Sequence, residues 1–191
     1  YFAGGVQAVS IWLSTEYSRA GAGGTGAAKC GGNYAASLLP QQEAAEHGCA
    51  QVAFLDSTEQ KWIEELGGMN LYFVQSDGSI VTPSLSGSIL EGITRDSIMQ
   101  IGRDLGHEVI ERRVSIDEWR QGTADGTITE VFACGTAAVV TPVRSLKWEG
   151  GEAVSGDGEP GKVTTDIRSA LVDIQYGRAD DKHDWLTQVV S

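Results

Sequence analysis

Apolar and polar positions along this chain fall into short alternating runs and a few helical stripes. Val6 to Leu13 reads as a strand, followed by a glycine-rich stretch from Gly21 to Gly32, GAGGTGAAKCGG. Asn33 to His47 carries helix formers and stops at Gly48, a residue suited to a helix C-terminus. Pro40 lies inside that pattern and must kink the helix or split it in two. Gln51 to Leu55, Trp62 to Leu66 and Met69 to Gln75 predict strands. Asp77-Gly78 predicts a hairpin turn into Ile80 to Thr82. Ile93, Ile98, Ile101 and Leu105 share one helical face, and Gly106 ends that helix. Glu108 to Val114 predicts a strand, and Ser115-Ile-Asp-Glu118 a capping box that opens a short helix. Thr129 to Cys134 and Ala138 to Trp148 predict strands, Gly150 to Gly161 a polar loop, and Val163 to Tyr176 the last amphipathic helix. The tail from Gly177 to Ser191 is charged, yet Trp185 and Leu186 predict that part of it packs. There is no internal repeat and no interdomain linker. Irregular interleaving with hairpins favours a mixed α/β (α+β) domain over a regular βαβ array.

Bulk properties narrow the partners. The chain has 191 residues, which suits one domain, 1–191, with a real core. Hydrophobic residues at 41% and charged residues at 21% set an ordinary globular balance. No apolar run is long enough to span a membrane. The N-terminal stretch lacks a basic leader, so it does not read as a signal peptide. A net charge of −12 argues against duplex nucleic acid and anionic membrane as partners. It leaves anionic small ligands open, because local potential decides their binding. Three cysteines, Cys30, Cys49 and Cys134, are odd in number and lack metal-type spacing. They predict reduced thiols, no metal and a cytoplasmic setting.

The glycine-rich loop ends in a lysine before a helix, so a phosphate-binding P-loop must be tested. That motif needs lysine directly after the last glycine, then a hydroxyl residue. Here two alanines separate Gly26 from Lys29, and Cys30 follows, so the motif fails at both diagnostic places. Small residues around Lys29 suit a different role, since they let backbone and ligand approach closely. A desolvated lysine near other cations loses its proton readily, and its amine is then free to form a Schiff base. Composition alone would leave Lys29 as a loop lysine, Tyr34 as a core aromatic and Glu65 as a solvated strand residue.

Resemblance changes that balance. The segment Gly23 to Asp56, GGTGAAKCGGNYAASLLPQQEAAEHGCAQVAFLD, closely resembles the surroundings of the pyridoxal-phosphate lysine in branched-chain amino acid aminotransferases, class IV enzymes. EELGGMNLYFV (Glu64 to Val74) is similar to that family's E-x-G-x-M-N strand pair. TPSLSGSILEGITRDSI (Thr82 to Ile98) resembles its phosphate-cup segment, EVFACGTAAVVTPV (Glu130 to Val143) its GTA turn, and DIQYG (Asp173 to Gly177) its closing helix. The matches are collinear and span nearly the whole chain.

The resemblance implies a fold-type IV large domain, a barrel-like β core flanked by helices, with pyridoxal 5′-phosphate as cofactor. Lys29 would join the cofactor as a Schiff base and shuttle the substrate proton. Glu65 would meet the pyridine nitrogen; strand alternation would put Glu64 on the opposite face. Tyr34 would hydrogen-bond the ring's phenolate oxygen. The Ser88 and Ile89 amides would bind phosphate, where a turn runs into a helix start. Thr136 would add a hydroxyl, and with Ala137 it would face the substrate carboxylate. Gly68 stands where some relatives carry threonine, which would widen the substrate pocket or remove a hydrogen bond. Arg95 is left as a surface or salt-bridge residue. A redox Cys-x-x-Cys found in some relatives is replaced by Ala138 and Thr141, so no thiol switch is expected there, and Cys134 is expected to be buried.

The implied activity is transamination of leucine, isoleucine and valine with 2-oxoglutarate, in branched-chain amino acid biosynthesis. The expected assembly is a homodimer that takes small amino acids and 2-oxo acids. Family members carry an N-terminal small domain ahead of the position of Tyr1, expected to be absent from this chain. The alternatives are a D-amino-acid aminotransferase or aminodeoxychorismate lyase of the same fold, or a catalytically incompetent fragment acting in dimerisation or interaction.

Overall fold

The computed structural model describes residues 7–189. The expected strand start at Val6 and the tail end at Ser191 lie outside them. Among the described residues, nine strands form one sheet. They are β1 (Val9–Leu13), β2 (Gln51–Leu55), β3 (Ile63–Leu66), β4 (Asn70–Gln75), β5 (Ile80–Thr82), β6 (Val109–Glu111), β7 (Ile128–Gly135), β8 (Val139–Trp148) and β9 (Gly151–Val154). Their order is β3-β2-β1-β8-β7-β4-β5-β6, with β9 added to β8. Parallel pairs (β1 with β2 and β8, β5 with β6) mix with antiparallel ones, as the irregular pattern predicted. The sheet curls into a half-barrel. Its two flanks meet where β3 turns into β4, with the Leu66 amide donating to the Met69 carbonyl at 2.9 Å.

Alternation fills the inside of that curl. Val9, Ile11 and Leu13 of β1, Leu71 and Phe73 of β4, and Val131 and Ala133 of β7 point into one core. Trp119, fully buried, plugs it from α4 (Ile116–Asp125). The opposite face of β4 and β7, with Tyr72, Val74 and Phe132, is covered by α3 (Ile93–Asp104) and α5 (Lys162–Gln175). Each large apolar side chain so buried contributes about 1.5–3 kcal/mol. The tail packs in part, as expected: Trp185 lies against this second core, and His183 reaches Asp104 at 2.8 Å. No helix among the described residues is long and apolar enough to cross a membrane.

Local chemistry explains several boundaries. The expected helix over 33–47 is split into α1 (Gly31–Ala36) and α2 (Leu38–Glu46), with the break at Ser37. The proline ring would clash with the carbonyl four residues back, at Ala36. One turn into α2, Pro40 sits where an amide hydrogen has no helical acceptor. Ser115 does cap α4, accepting from the Glu118 amide at 3.0 Å. The Glu118 carboxylate does not return to complete the box; it forms a two-point pair with Arg112. The loop expected over 150–161 contains β9, hairpinned onto β8. Its glycines and acid masked a strand that is stabilised by backbone pairing.

One irregularity matters for the site. Between Ala53 and Leu55 the partner on β3 moves from Leu66 to Ile63, so β3 carries an extra residue. This β-bulge keeps both Ile63 and Leu66 in the core and breaks strict alternation at Glu64-Glu65. The expectation that these two acids lie on opposite faces therefore fails. Both reach the same loop between β5 and α3.

Candidate active site

The glycine-rich loop is held in shape by one asparagine. Buried Asn33 donates to the carbonyls of Thr25 (2.8 Å) and Ala28 (2.9 Å) and accepts from the Thr25 hydroxyl (2.8 Å). Those bonds fix the loop just ahead of Lys29. Gly26 lets the loop press on the segment before α3, so close that a Cβ would strike the Ser88 backbone. Two hollows open beside Lys29. The smaller, about 110 Å³, is lined by Lys29, Glu65, Asn70, Leu90, Cys134 and Thr136, with the first turn of α3, Gly92 to Thr94. The larger, about 490 Å³, is lined by Lys29, Tyr34, Gly68, Met69, Thr136 and Ala137, among others. Lys29, Gly68, Gly135 and Thr136 are common to both. The expected desolvation of Lys29 is absent: the side chain is exposed.

Glu65 forms the acidic wall of the smaller hollow. It accepts from the Leu90 amide at 2.7 Å and pairs with Arg19 at 2.9 Å. Burial pushes its carboxyl up to about 7, against the opposing pull of Arg19 and the Leu90 amide. Opposite it, α3 begins at Gly92 with no side chain capping it. The first amides of a helix have no helical carbonyl to reach, so they present donors and a positive dipole end to any anion there. Asn70 fixes this turn by donating to the Leu90 carbonyl at 3.0 Å.

Two residues expected to bind the cofactor, Ser88 and Ile89, lie off the linings of these hollows. The Ser88 hydroxyl contacts Glu64, its carbonyl accepts from Arg19 at 2.9 Å, and the Ile89 side chain is buried. Ile93 and Thr94, in the first turn of α3, line the smaller hollow instead, and their amides are candidates to meet an anion there. Of the two roles left open for Arg95 the salt bridge holds: it is buried rather than at the surface and pairs with Glu111 at 2.6 Å. Cys134 is buried as expected, and burial raises its thiol pKa.

Sequence reasoning missed Arg19, Asn33 and Asn70. Each does its work through contacts that the local pattern does not reveal. Only the placement of Arg19 and Asn33 beside a glycine-rich run hinted at them. A strained residue, Val139, also borders the site: its φ of 57° is a left-handed conformation costly for a β-branched side chain. It closes the turn that presents Thr136 and Ala137.

A lysine, a buried carboxylate and an uncapped helix start thus surround one hollow, an arrangement suited to an anionic ligand that reacts with an amine. The model of the amino-transferase class IV family matches residues 10–146, and the chain belongs to that family. It is 59% identical over 186 residues to a probable branched-chain-amino-acid aminotransferase of Streptomyces coelicolor, covering 97% of this chain and 51% of that protein. It is 55% identical over 192 residues to the branched-chain-amino-acid aminotransferase of Mycolicibacterium smegmatis, covering 99% of this chain and 52% of that protein. Among solved structures, the Escherichia coli branched-chain enzyme superposes with a TM-score of 0.81 at 37% identity, over 96% of this chain and 58% of that one. The Thermobaculum terrenum branched-chain enzyme in its PLP-bound form scores 0.82 at 30% identity, over 96% and 56%. These neighbours are fold-type IV proteins, as the sequence led us to expect. The chain spans about half the length of the curated relatives it matches.

Proposed function

We propose that this chain is the cofactor-bearing part of a pyridoxal 5′-phosphate aminotransferase that moves the amino group of leucine, isoleucine or valine to 2-oxoglutarate. The observation that carries the proposal is the convergence of Lys29, Glu65 and the uncapped start of α3 on one hollow. The donor set fits the cofactor: an amine for its aldehyde, a carboxylate for its ring nitrogen, and free amides for its phosphate. Bound there, the cofactor supplies that aldehyde and an electron-accepting ring. Tyr34 would hold the phenolate oxygen, and Thr136 with the Ile93 and Thr94 amides the phosphate.

The chain's own residues then divide the work. The Lys29 Nζ anchors, and after release it acts as general base, lifting the substrate Cα proton and redelivering it. The Glu65 carboxylate holds a proton at the ring nitrogen, which strengthens the ring as an electron acceptor. Thr136 and Ala137 orient the substrate carboxylate, and the larger hollow receives the side chain. Its lining of Met69, Leu38, Ala137 and Ala138 suits a branched apolar group, with Gly68 leaving room. A further solved branched-chain aminotransferase, 36% identical and complexed with 4-methylvaleric acid, supports that choice, since its ligand is itself a branched acid. Exposed Tyr34, Leu38 and Leu39 beside this hollow fit completion of the pocket by further polypeptide and by the second subunit of a homodimer. Free cysteines fit a cytoplasmic setting.

Borohydride reduction after incubation with the cofactor, followed by peptide mapping, tests the assignment. A pyridoxyl adduct on Lys29 is expected; no adduct, or one on another lysine, overturns it. Turnover of D-alanine but not L-leucine by the intact protein would replace the branched-chain substrate with a D-amino acid.

A further inference from the structure

The bulge in β3 brings two acids beside one arginine, and the proposed mechanism uses only one of them. Glu64 is 5% exposed, Glu65 1% and Arg19 3%. We propose that Arg19 is a positioning residue for Glu65, keeping that carboxyl ionisable at neutral pH and aimed into the hollow, while Glu64 is stored beside it as a neutral acid. The proposal rests on Glu65 being the ring-nitrogen partner.

Charge balance gives the first argument. Two ionised carboxylates with one guanidinium would leave an uncompensated charge in a buried place, which is strongly unfavourable. One proton removes the excess, and the hydrogen bonds say which acid holds it. Glu65 meets only obligate donors, the Arg19 Nη1 at 2.9 Å and the Leu90 amide at 2.7 Å. Both bonds favour the anion, which accepts without offering a hydrogen of its own. Glu64 meets hydroxyls instead. Its Oε1 contacts Ser88, whose hydroxyl lies 2.7 Å from that of Ser86, and hydroxyls accept as readily as they donate. Its Oε2 has no partner among the described residues, a tolerable position for a neutral acid and a poor one for an anion. Burial raises its pKa and nearby Asp56 adds to the rise, while Arg19 opposes it less than the Ser88 and Ser86 hydroxyls do. For Glu65, Arg19 is the largest opposing influence, the Leu90 amide follows, and Glu64 is the smallest influence, pushing its pKa further up.

The same guanidinium ties three pieces of the site together. It donates to the Ser88 carbonyl at 2.9 Å and lies 3.4 Å from the Gly26 carbonyl. The loop carrying Lys29, the segment before α3 and the strand carrying Glu65 therefore share one fixed cation. Without Arg19, Glu65 would keep its proton through neutral pH and could not pair as an anion with a protonated ring nitrogen.

The test is a carboxyl titration of the intact, cofactor-free protein labelled at glutamate and followed by NMR. Glu65→Gln and Glu64→Gln assign the two signals. In the wild type, Glu65 should titrate near 7. Arg19→Gln should raise that midpoint by about one to three units, and Arg19→Lys should raise it less, since the charge is kept and the fork is lost. Glu64→Gln should move it little, because Glu64 is the smallest influence on Glu65 and a neutral acid is exchanged for a neutral amide. An unmoved midpoint in Arg19→Gln overturns the role of Arg19. Should that variant not fold, an unmoved midpoint in Arg19→Lys does the same. A clear fall in Glu64→Gln shows that Glu64 was ionised and overturns its storage as an acid. Borohydride mapping of Lys29 in the same proteins keeps the two questions apart. Loss of the adduct everywhere removes the cofactor assignment and leaves the titration result standing on its own.

Discussion

Gly26→Ala is the sharpest mechanical test of how the lysine loop is held. A Cβ at Gly26 would sit 2.5 Å from the Ser88 carbonyl carbon, and nearer still to that residue's oxygen and Cα. Relief to ordinary contact needs a retreat of about 1 Å, and both partners are backbone, so no rotamer change can supply it. The retreat stretches the bond from the Ala27 amide to the Gly87 carbonyl, 3.1 Å, and that from Arg19 to the Ser88 carbonyl, 2.9 Å. Loss of a neutral bond costs about 1 kcal/mol and of a charged one about 2, and overpacking adds about 1–3. The sum, roughly 4–6 kcal/mol, is a large part of a typical domain's stability of about 5–15. Gly31→Ala is the matched control. Nothing lies within 4 Å of its added carbon, and the position opens α1, so its change should stay within about 0.5 kcal/mol. Urea denaturation of both variants, with the yield of Lys29 adduct, measures the contrast. Equal midpoints for the two would refute the tight apposition of the loops.

Other perturbations address the charges. In cofactor-free protein the Glu65 carboxyl is raised from 4.5 to about 7. Its contribution to stability is therefore full below about 4.5 and is lost as pH climbs through about 7. The amount is about 3 kcal/mol as an order of magnitude. Glu65→Gln should flatten that part of the stability profile; parallel profiles for the two proteins would contradict the buried titration. Ile93→Pro removes an amide at the first position of α3, where proline is tolerated, after a Gly92 already extended at φ −71° and ψ 129°. Calorimetry should find the cofactor phosphate bound about ten-fold more weakly, with melting little changed. A wild-type affinity would move the anion elsewhere. Ser115→Ala should cost about 1 kcal/mol of stability, through loss of the cap on the Glu118 amide, and should leave adduct formation intact.

Much of the framework was legible in the pattern of side chains because periodicity reports burial. β1, β4, β7 and β8 were anticipated as strands and α3 from its apolar stripe; β4, β7 and β8 supply apolar residues to both cores and α3 to one. β9 escaped because its pairing is a backbone matter and its sequence, Gly-Glu-Ala-Val, carries little side-chain signal. Lys29, Tyr34, Gly68, Thr136 and Ala137 were named from motifs, and all border the two hollows. The turn that lines the smaller hollow, Gly92 to Thr94, lies a few residues past the expected Ser88 and Ile89. In SGSILEGIT, glycines stand near both ends of the segment, and only the fold reveals that Ser88 already serves Glu64 and Arg19.

The acids show why such a site resists inference from alternation alone. A regular strand would have sent Glu64 and Glu65 to opposite faces and left one of them in solvent or in the hydrophobic core. A single extra residue in β3 turns both toward the β5–α3 loop. Two carboxyls then share a burial that neither could sustain as an isolated anion. Arg19 makes one of them usable as a charge, and the serine pair makes the other harmless as an acid. The irregularity in the strand, the buried arginine and the serine-rich loop are thus parts of one arrangement. Altering any one of them should be felt first in the titration of Glu65.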